Sequence, residues 1–189
     1  EEGNTVSDHT AQERERGYST QCACMHTEWR NFKINIIDTP GLDEFSGETT
    51  PAIQVADTCV LVLNARQGVE VGTELVWQHI HPAARPVIVA VNQLDHPGAD
   101  FEATLAQARE LLGPAVTVMQ YPLEQGEGFH RIIGLLRMTM YVFKDDGGKP
   151  EKQPIPEAER EQADRLHKEL VEKAAENDER LMERYFDKG

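Results

Sequence analysis

The spacing of apolar residues along the chain changes several times, and each change marks an element. Residues 21–29 and 32–38 carry strand-like patterns around a tight Arg30-Asn31 connection, which reads as a β-hairpin. Ile34, Ile36 and Ile37 give its second strand apolar mass, and Asp38 ends it. Upstream, the polar run Gln12-Glu13-Arg14-Glu15-Arg16-Gly17 fits a short helix capped near Ser7 or Thr10 and stopped by Gly17. From residue 58 strands and helices alternate. A buried strand is expected over 58–65, a helix over 70–81 with Val71, Leu75, Trp77 and Ile80 at helical spacing, and a second buried strand over 86–92. Residues 100–112 repeat the helical spacing with Phe101, Leu105, Ala108, Leu111 and Leu112, and 115–119 read as a third strand. Such alternation predicts an α/β protein with a parallel, doubly wound sheet and sites at the carboxyl ends of its strands. Asp38 and Asn92 stand at two such ends.

The pattern shifts after about residue 122. Residues 129–143 are mixed apolar and β-prone, and Asp145-Asp146-Gly147-Gly148-Lys149-Pro150 breaks the chain. Residues 156–188 read as one long helix that Pro156 opens, with Glu157, Glu159 and Glu161 complementing its positive end. Glu161–Arg165, Asp164–Lys168, Glu169–Lys173 and Glu176–Arg180 are expected ion pairs in the favourable order, and Leu166, Leu170, Ala174, Leu181 and Tyr185 form a narrow apolar stripe. Two domains follow: residues 1–121, and 122–189 as an α+β subdomain.

Composition narrows the function classes. At 189 residues the chain holds one ordinary domain or one domain with a small insertion. No apolar run approaches the ~20 residues of a membrane helix, so no membrane partner is expected. Three cysteines in unrelated contexts argue against a disulfide framework and for a reducing, cytoplasmic setting. A net charge of -14 disfavours a broad phosphate-grasping surface, so contact with RNA should be local or carried by other domains.

The chemistry gathers in Asp38-Thr39-Pro40-Gly41 and Asn92-Gln93-Leu94-Asp95. A carboxylate at a strand end can hold a Mg²⁺ shell through water, and a glycine N–H can approach a terminal phosphate without a Cβ in the way. Asp38 and Gly41 suit those tasks. Guanine offers two adjacent donors that Asp95 can accept as a bidentate pair, and Asn92 would brace the loop. Either motif alone more often marks a turn or a helix cap. Both at strand ends, in order, with a strand and a helix between them, favour a GTP- or GDP-binding sheet.

With Gln12 to Thr20, Ile36 to Gly41, Val91 to Asp95, Phe129 to Leu136 and Asn177 to Tyr185, the chain closely resembles the GTPase domain of bacterial elongation factor G with its insertion subdomain. The resemblance covers essentially the whole chain. It implies a P-loop GTPase fold of which the first strand and phosphate loop, Gly-x-x-x-x-Gly-Lys-[Ser/Thr], lie upstream of residue 1, so that the chain is expected to be an excerpt. It assigns Mg²⁺ to Ser19 and, through water, Asp38; nucleotide to Asp38, Thr39, Pro40, Gly41, Asn92, Gln93 and Asp95. It implies action in ribosomal translocation, with the large-subunit stalk protein meeting residues 156–188, and ribosomal RNA, mRNA and tRNA meeting other domains.

Three positions depart from that family. Ser19 replaces a threonine and keeps its hydroxyl. Gln93 replaces a lysine and loses a charge, which implies weaker nucleotide binding. Leu42 occupies the slot of the histidine that positions the attacking water. Loss of such a group typically costs ~10²–10⁴-fold in rate, so impaired hydrolysis is expected unless Asp43, Glu44 or the ribosome compensates. Two other readings stay open: a non-enzymatic ribosome-binding module with a decayed pocket, and a ribosomal-protection or peptide-release GTPase. Elsewhere, Cys22, Cys24 and His26 share one strand face, where packing is favoured over a metal site. His79 and His81 suit a helix end, and Trp29 and Trp77 read as packing residues.

Overall fold

The computed structural model describes residues 5–144, 147–176 and 181–183. Helix α1 (Ala11–Arg16) is capped by Thr10 in a capping box with Glu13 and stopped by Gly17, whose left-handed φ of 73° an L side chain rarely adopts. Strands β1 (Ala23–Trp29) and β2 (Phe32–Asp38) form the antiparallel hairpin in the register Ala23↔Asp38 to Trp29↔Phe32. Arg30 and Asn31 both take positive φ, as a tight two-residue hairpin turn requires. A 3₁₀ turn (Asp43–Phe45) leads into α2 (Ser46–Val55), an element that the sequence pattern missed.

Strand β3 (Cys59–Asn64), helix α3 (Val71–Ile80), strand β4 (Val87–Asn92) and helix α4 (Phe101–Leu112) follow the expected alternation. Cys59 N–H donates to Pro86 O at one end, and Ala65 N–H to Asn92 O at the other, so β3 and β4 run parallel. Among the described residues β1–β2 and β3–β4 are separate two-stranded sheets, with β2 and β3 each unpaired on one edge. Residues 115–119 are not a strand. Val118 turns into the core, and pairing starts at β5 (Gln120–Pro122). With β6 (Arg131–Gly134), β7 (Thr139–Val142) and β8 (Glu151–Gln153) it builds a four-stranded antiparallel sheet. Helix α5 (Glu157–Ala175) comes last.

The chain divides into two compact units. The first comprises Glu1–Val62 and Glu70–Ala90, the second Leu63–Val69 and Val91–Gly189. The boundary falls within β3 and β4, whereas the one expected at residue 121 lies inside the second unit. In the first unit Ile53, Cys59 and Ile80 form a small core, with Val76, Trp77, Ala83 and Val87 packed on it. The second unit has a larger one, with Ile133, Leu135 and Ala163 fully buried at its centre.

Several side chains depart from expectation. Trp29 is 58% exposed at the hairpin tip, where the Arg30 guanidinium lies 4.4 Å from its ring centroid. Cys24 and His26 are exposed rather than packed, and among the described residues no three His, Cys, Asp or Glu side chains cluster to hold a metal. On α5 the stripe runs through Ala163, Leu166 and Ala175, while Ala174 faces solvent; Tyr185 and Arg180 lie outside the described residues. Glu169 reaches Arg109 of α4 at 2.9 Å, and Lys168 pairs with Glu172 at 3.9 Å, one turn later than expected. Among the described residues no helix is long and apolar enough to cross a membrane.

Candidate functional site

In the first unit a polar network orders the segment before β1. The Glu13 carboxylate is fully buried and accepts from the N–H groups of Thr10, Thr20 and Gln21 and from the Thr10 and Thr20 hydroxyls. These bonds, led by the Thr20 N–H, hold its pKa at about 2. Asp8, also buried, accepts the Ser19 hydroxyl at 2.8 Å and a second hydroxyl from Thr5. Sequence reading missed both carboxylates as organisers. The capping-box spacing of Thr10 and Glu13 was the signal for one; nothing local marked Asp8.

Asp38 ends β2 half-buried, close enough to the Cys22 thiol to help burial and Glu48 push that thiol's pKa up. Its side chain makes no hydrogen bond among the described residues. Pro40 is buried, and Thr39 is half-buried. A Cβ placed on Gly41 would meet nothing within 4 Å, so packing does not demand the glycine. Leu42 is 44% exposed and opens the 3₁₀ turn, its carbonyl accepting from Phe45 N–H at 2.9 Å. With Pro40, Thr49, Leu75, Val76 and His79 it lines a cavity of about 90 Å³ beside α3. The leucine thus shares the cavity with both apolar and polar residues, Asp43 and Ser46 among them, and brings no donor or acceptor of its own.

The second unit holds the other motif. Asn92 closes β4, and its carbonyl accepts from Ala65 N–H at 2.9 Å. Gln93 takes a left-handed φ of 60° and accepts from the Asn64 side-chain amide at 2.6 Å. Leu94 anchors the loop in the core, and its carbonyl accepts from Gly126 N–H at 2.7 Å. The Asn92, Gln93 and Asp95 side chains are exposed, and that of Asp95 has no hydrogen-bond partner among the described residues. An anchored loop thus presents an unengaged carboxylate. Asn64 went unnoticed in the sequence, although it is the last residue of β3.

A family model described as the elongation factor Tu GTP binding domain matches residues 1–185. The chain belongs to that family. An elongation factor G of Mycoplasma genitalium is 35% identical over 189 residues, covering 98% of this chain and 27% of the relative. One from Thermotoga petrophila is 36% identical over 188 residues, covering 99% and 27%. The chain thus spans about a quarter of the length of these elongation factor G relatives. A crystal structure of a Thermus thermophilus protein superposes with a TM-score of 0.89 at 30% identity, covering 99% of this chain and 28% of that one. The α/β fold is therefore that of a translational GTPase, and the chain is a GTP-binding domain of elongation factor G type.

Proposed function

We propose that this domain reads guanine nucleotide for an elongation factor G-like protein that acts in ribosomal translocation and hydrolyses GTP slowly. The observation that carries the reading is Asp95, an unengaged carboxylate on a loop anchored at Asn92, Gln93 and Leu94. Such a group can accept both donors on the guanine edge, with Asn92 beside it. Asp38, Thr39, Pro40 and Gly41 would serve the terminal phosphate. The open edges of β2 and β3 suit a further strand that carries the phosphate-cradling loop and completes a doubly wound sheet.

The residues present also fit Mg²⁺. The Ser19 hydroxyl spends its proton on Asp8, which leaves oxygen lone pairs for a hard cation. The Asp38 carboxylate makes no competing hydrogen bond and suits the water shell. When bound, Mg²⁺ would neutralise phosphate charge.

Leu42 argues for slow hydrolysis, since an alkyl group can neither orient a water nor move a proton. Residues 122–189 would form the insertion subdomain, with the charged face of α5 offered to the ribosomal stalk protein and RNA contacts left to other domains. The work of such a factor places it in the cytoplasm. Ribosome-stimulated phosphate release by the full-length protein tests the reading. Leu42→His should accelerate release by ~10²–10⁴-fold. A wild-type rate that histidine does not improve would overturn the impaired-hydrolysis reading.

A further inference from the structure

Gln93 stands at a sparsely populated backbone position, with φ near 60°, between the two residues proposed to read the base. The backbone on either side is fixed. Asn92 O is held by Ala65 N–H, and Leu94 O by Gly126 N–H. At Gln93 itself the side chain is held by the last residue of β3, the Asn64 amide 2.6 Å away.

The direction of that bond follows from its surroundings. Asn64 Oδ1 already accepts from Arg66 N–H at 2.9 Å and Gln67 N–H at 3.4 Å, closing the turn after β3. Its NH₂ must therefore face Gln93, and Gln93 must answer with its oxygen. This leaves the Gln93 NH₂ without a partner among the described residues, available as a neutral donor. Gln93 O in turn accepts from His96 N–H at 3.2 Å, which shapes the backbone around Asp95.

We propose that Asn64 is a positioning residue for base recognition: it holds Gln93 in the left-handed conformation and so sets where Asp95 presents its carboxylate. The inference rests on the guanine-reading role proposed above. It adds that a residue on β3, outside both nucleotide motifs, governs how well the base is discriminated. Without this contact Gln93 can relax to negative φ, and the register between Asn92 and Asp95 is lost.

The test measures binding of GDP and IDP to the full-length protein with Mg²⁺; IDP lacks the exocyclic amine that Asp95 would accept. Asn64→Ala and Gln93→Ala should each weaken GDP about five- to tenfold, the scale of one hydrogen bond, and narrow the GDP/IDP ratio. The double variant should lose no more than either single one, because both remove the same contact. Asn64→Asp should retain affinity, since a carboxylate can accept from a turned Gln93 amide. A GDP/IDP ratio left intact in Asn64→Ala, or losses that multiply, would overturn the proposal while sparing guanine reading. A wild-type protein blind to the GDP/IDP difference would defeat guanine reading and this inference with it. Hydrogen exchange at His96 judges the contact separately: Asn64→Ala should speed it, and unchanged exchange would count against the pin.

Discussion

The two units hold their shape by different means. Among the described residues, eleven buried ones make a continuous core in the second, from Ala65 through Ile133 and Leu135 to Leu166. In the first, the cluster of Ile53, Cys59 and Ile80 is smaller, and the segment before β1 is held by the carboxylates of Glu13 and Asp8. Hydrophobic packing is non-directional and fixes a scaffold, whereas hydrogen-bonded carboxylates can be exchanged for other partners. The base-reading role proposed for the second unit's loop would need the scaffold. The phosphate- and metal-sensing role proposed for the first unit's segment would need the exchangeable contacts, and such segments belong to the less stable parts of a protein.

The sharpest way to break this contrast is to truncate both cores. Ile133→Ala should cost about 3–5 kcal/mol in urea unfolding, because a fully buried site in a large core leaves a cavity. Ile53→Ala should lie near ~2 kcal/mol, at the low end of the range, since its smaller cluster can collapse more easily. Equal costs would remove the distinction.

The polar half of the contrast is tested by acid. The pKa of Glu13 is about 2 in the folded chain against 4.5 for the free side chain. A depressed carboxylate contributes its stabilisation in full above the unfolded pKa and loses it as pH falls through the folded one. Order at Thr20 and Gln21 should therefore persist down to pH 4.5 and fade between there and about pH 2. Hydrogen exchange at those two amides reports it. Glu13→Gln should raise their exchange at neutral pH and flatten the acid dependence, while exchange at Ile133 stays unchanged.

A smaller effect is expected within the second core. The Tyr121 hydroxyl is buried with no well-aligned hydrogen bond, and burial, with the Glu159 carboxylate near it, pushes its pKa up to about 12. Tyr121→Phe should stabilise the protein by roughly 1 kcal/mol, because it removes a buried polar group that is poorly satisfied. A loss of stability in thermal unfolding would show that the hydroxyl is better paired than its geometry indicates.

The sequence was most legible where local chemistry and tertiary packing agree. Thr10, Glu13 and Gly17 bounded α1, whereas β2 was legible from its tight Arg30-Asn31 turn although Ile34 and Ile36 stay exposed. The spacing of Phe101 and Ala108 marked the buried face of α4. Helix α2 was hidden because Ser46, Gly47, Thr49, Thr50 and an internal Pro51 read as a loop, and only its packed face at Ala52 and Ile53 supports a helix. Residues 115–119 misled because Val116 and Val118 are β-prone, yet Val118 serves the core without a ladder. The stripe on α5 slipped by one residue, from Ala174 to Ala175, where neighbouring alanines give no periodic cue. For the candidate site, motifs nominated Asp38, Gly41, Asn92 and Asp95. Asn64 and Asp8 carried no such signal, since their hydrogen-bond partners lie 29 and 11 residues away.

The central claim is that Asp95 selects guanine through two accepted hydrogen bonds, and the most direct test exchanges acceptor for donor. In Asp95→Asn, the full-length protein should lose GDP affinity and gain affinity for XDP, whose 2-oxo group accepts from the new amide. A reversal of the GDP/XDP preference is the predicted result. A variant that keeps the wild-type order of preference would contradict the account.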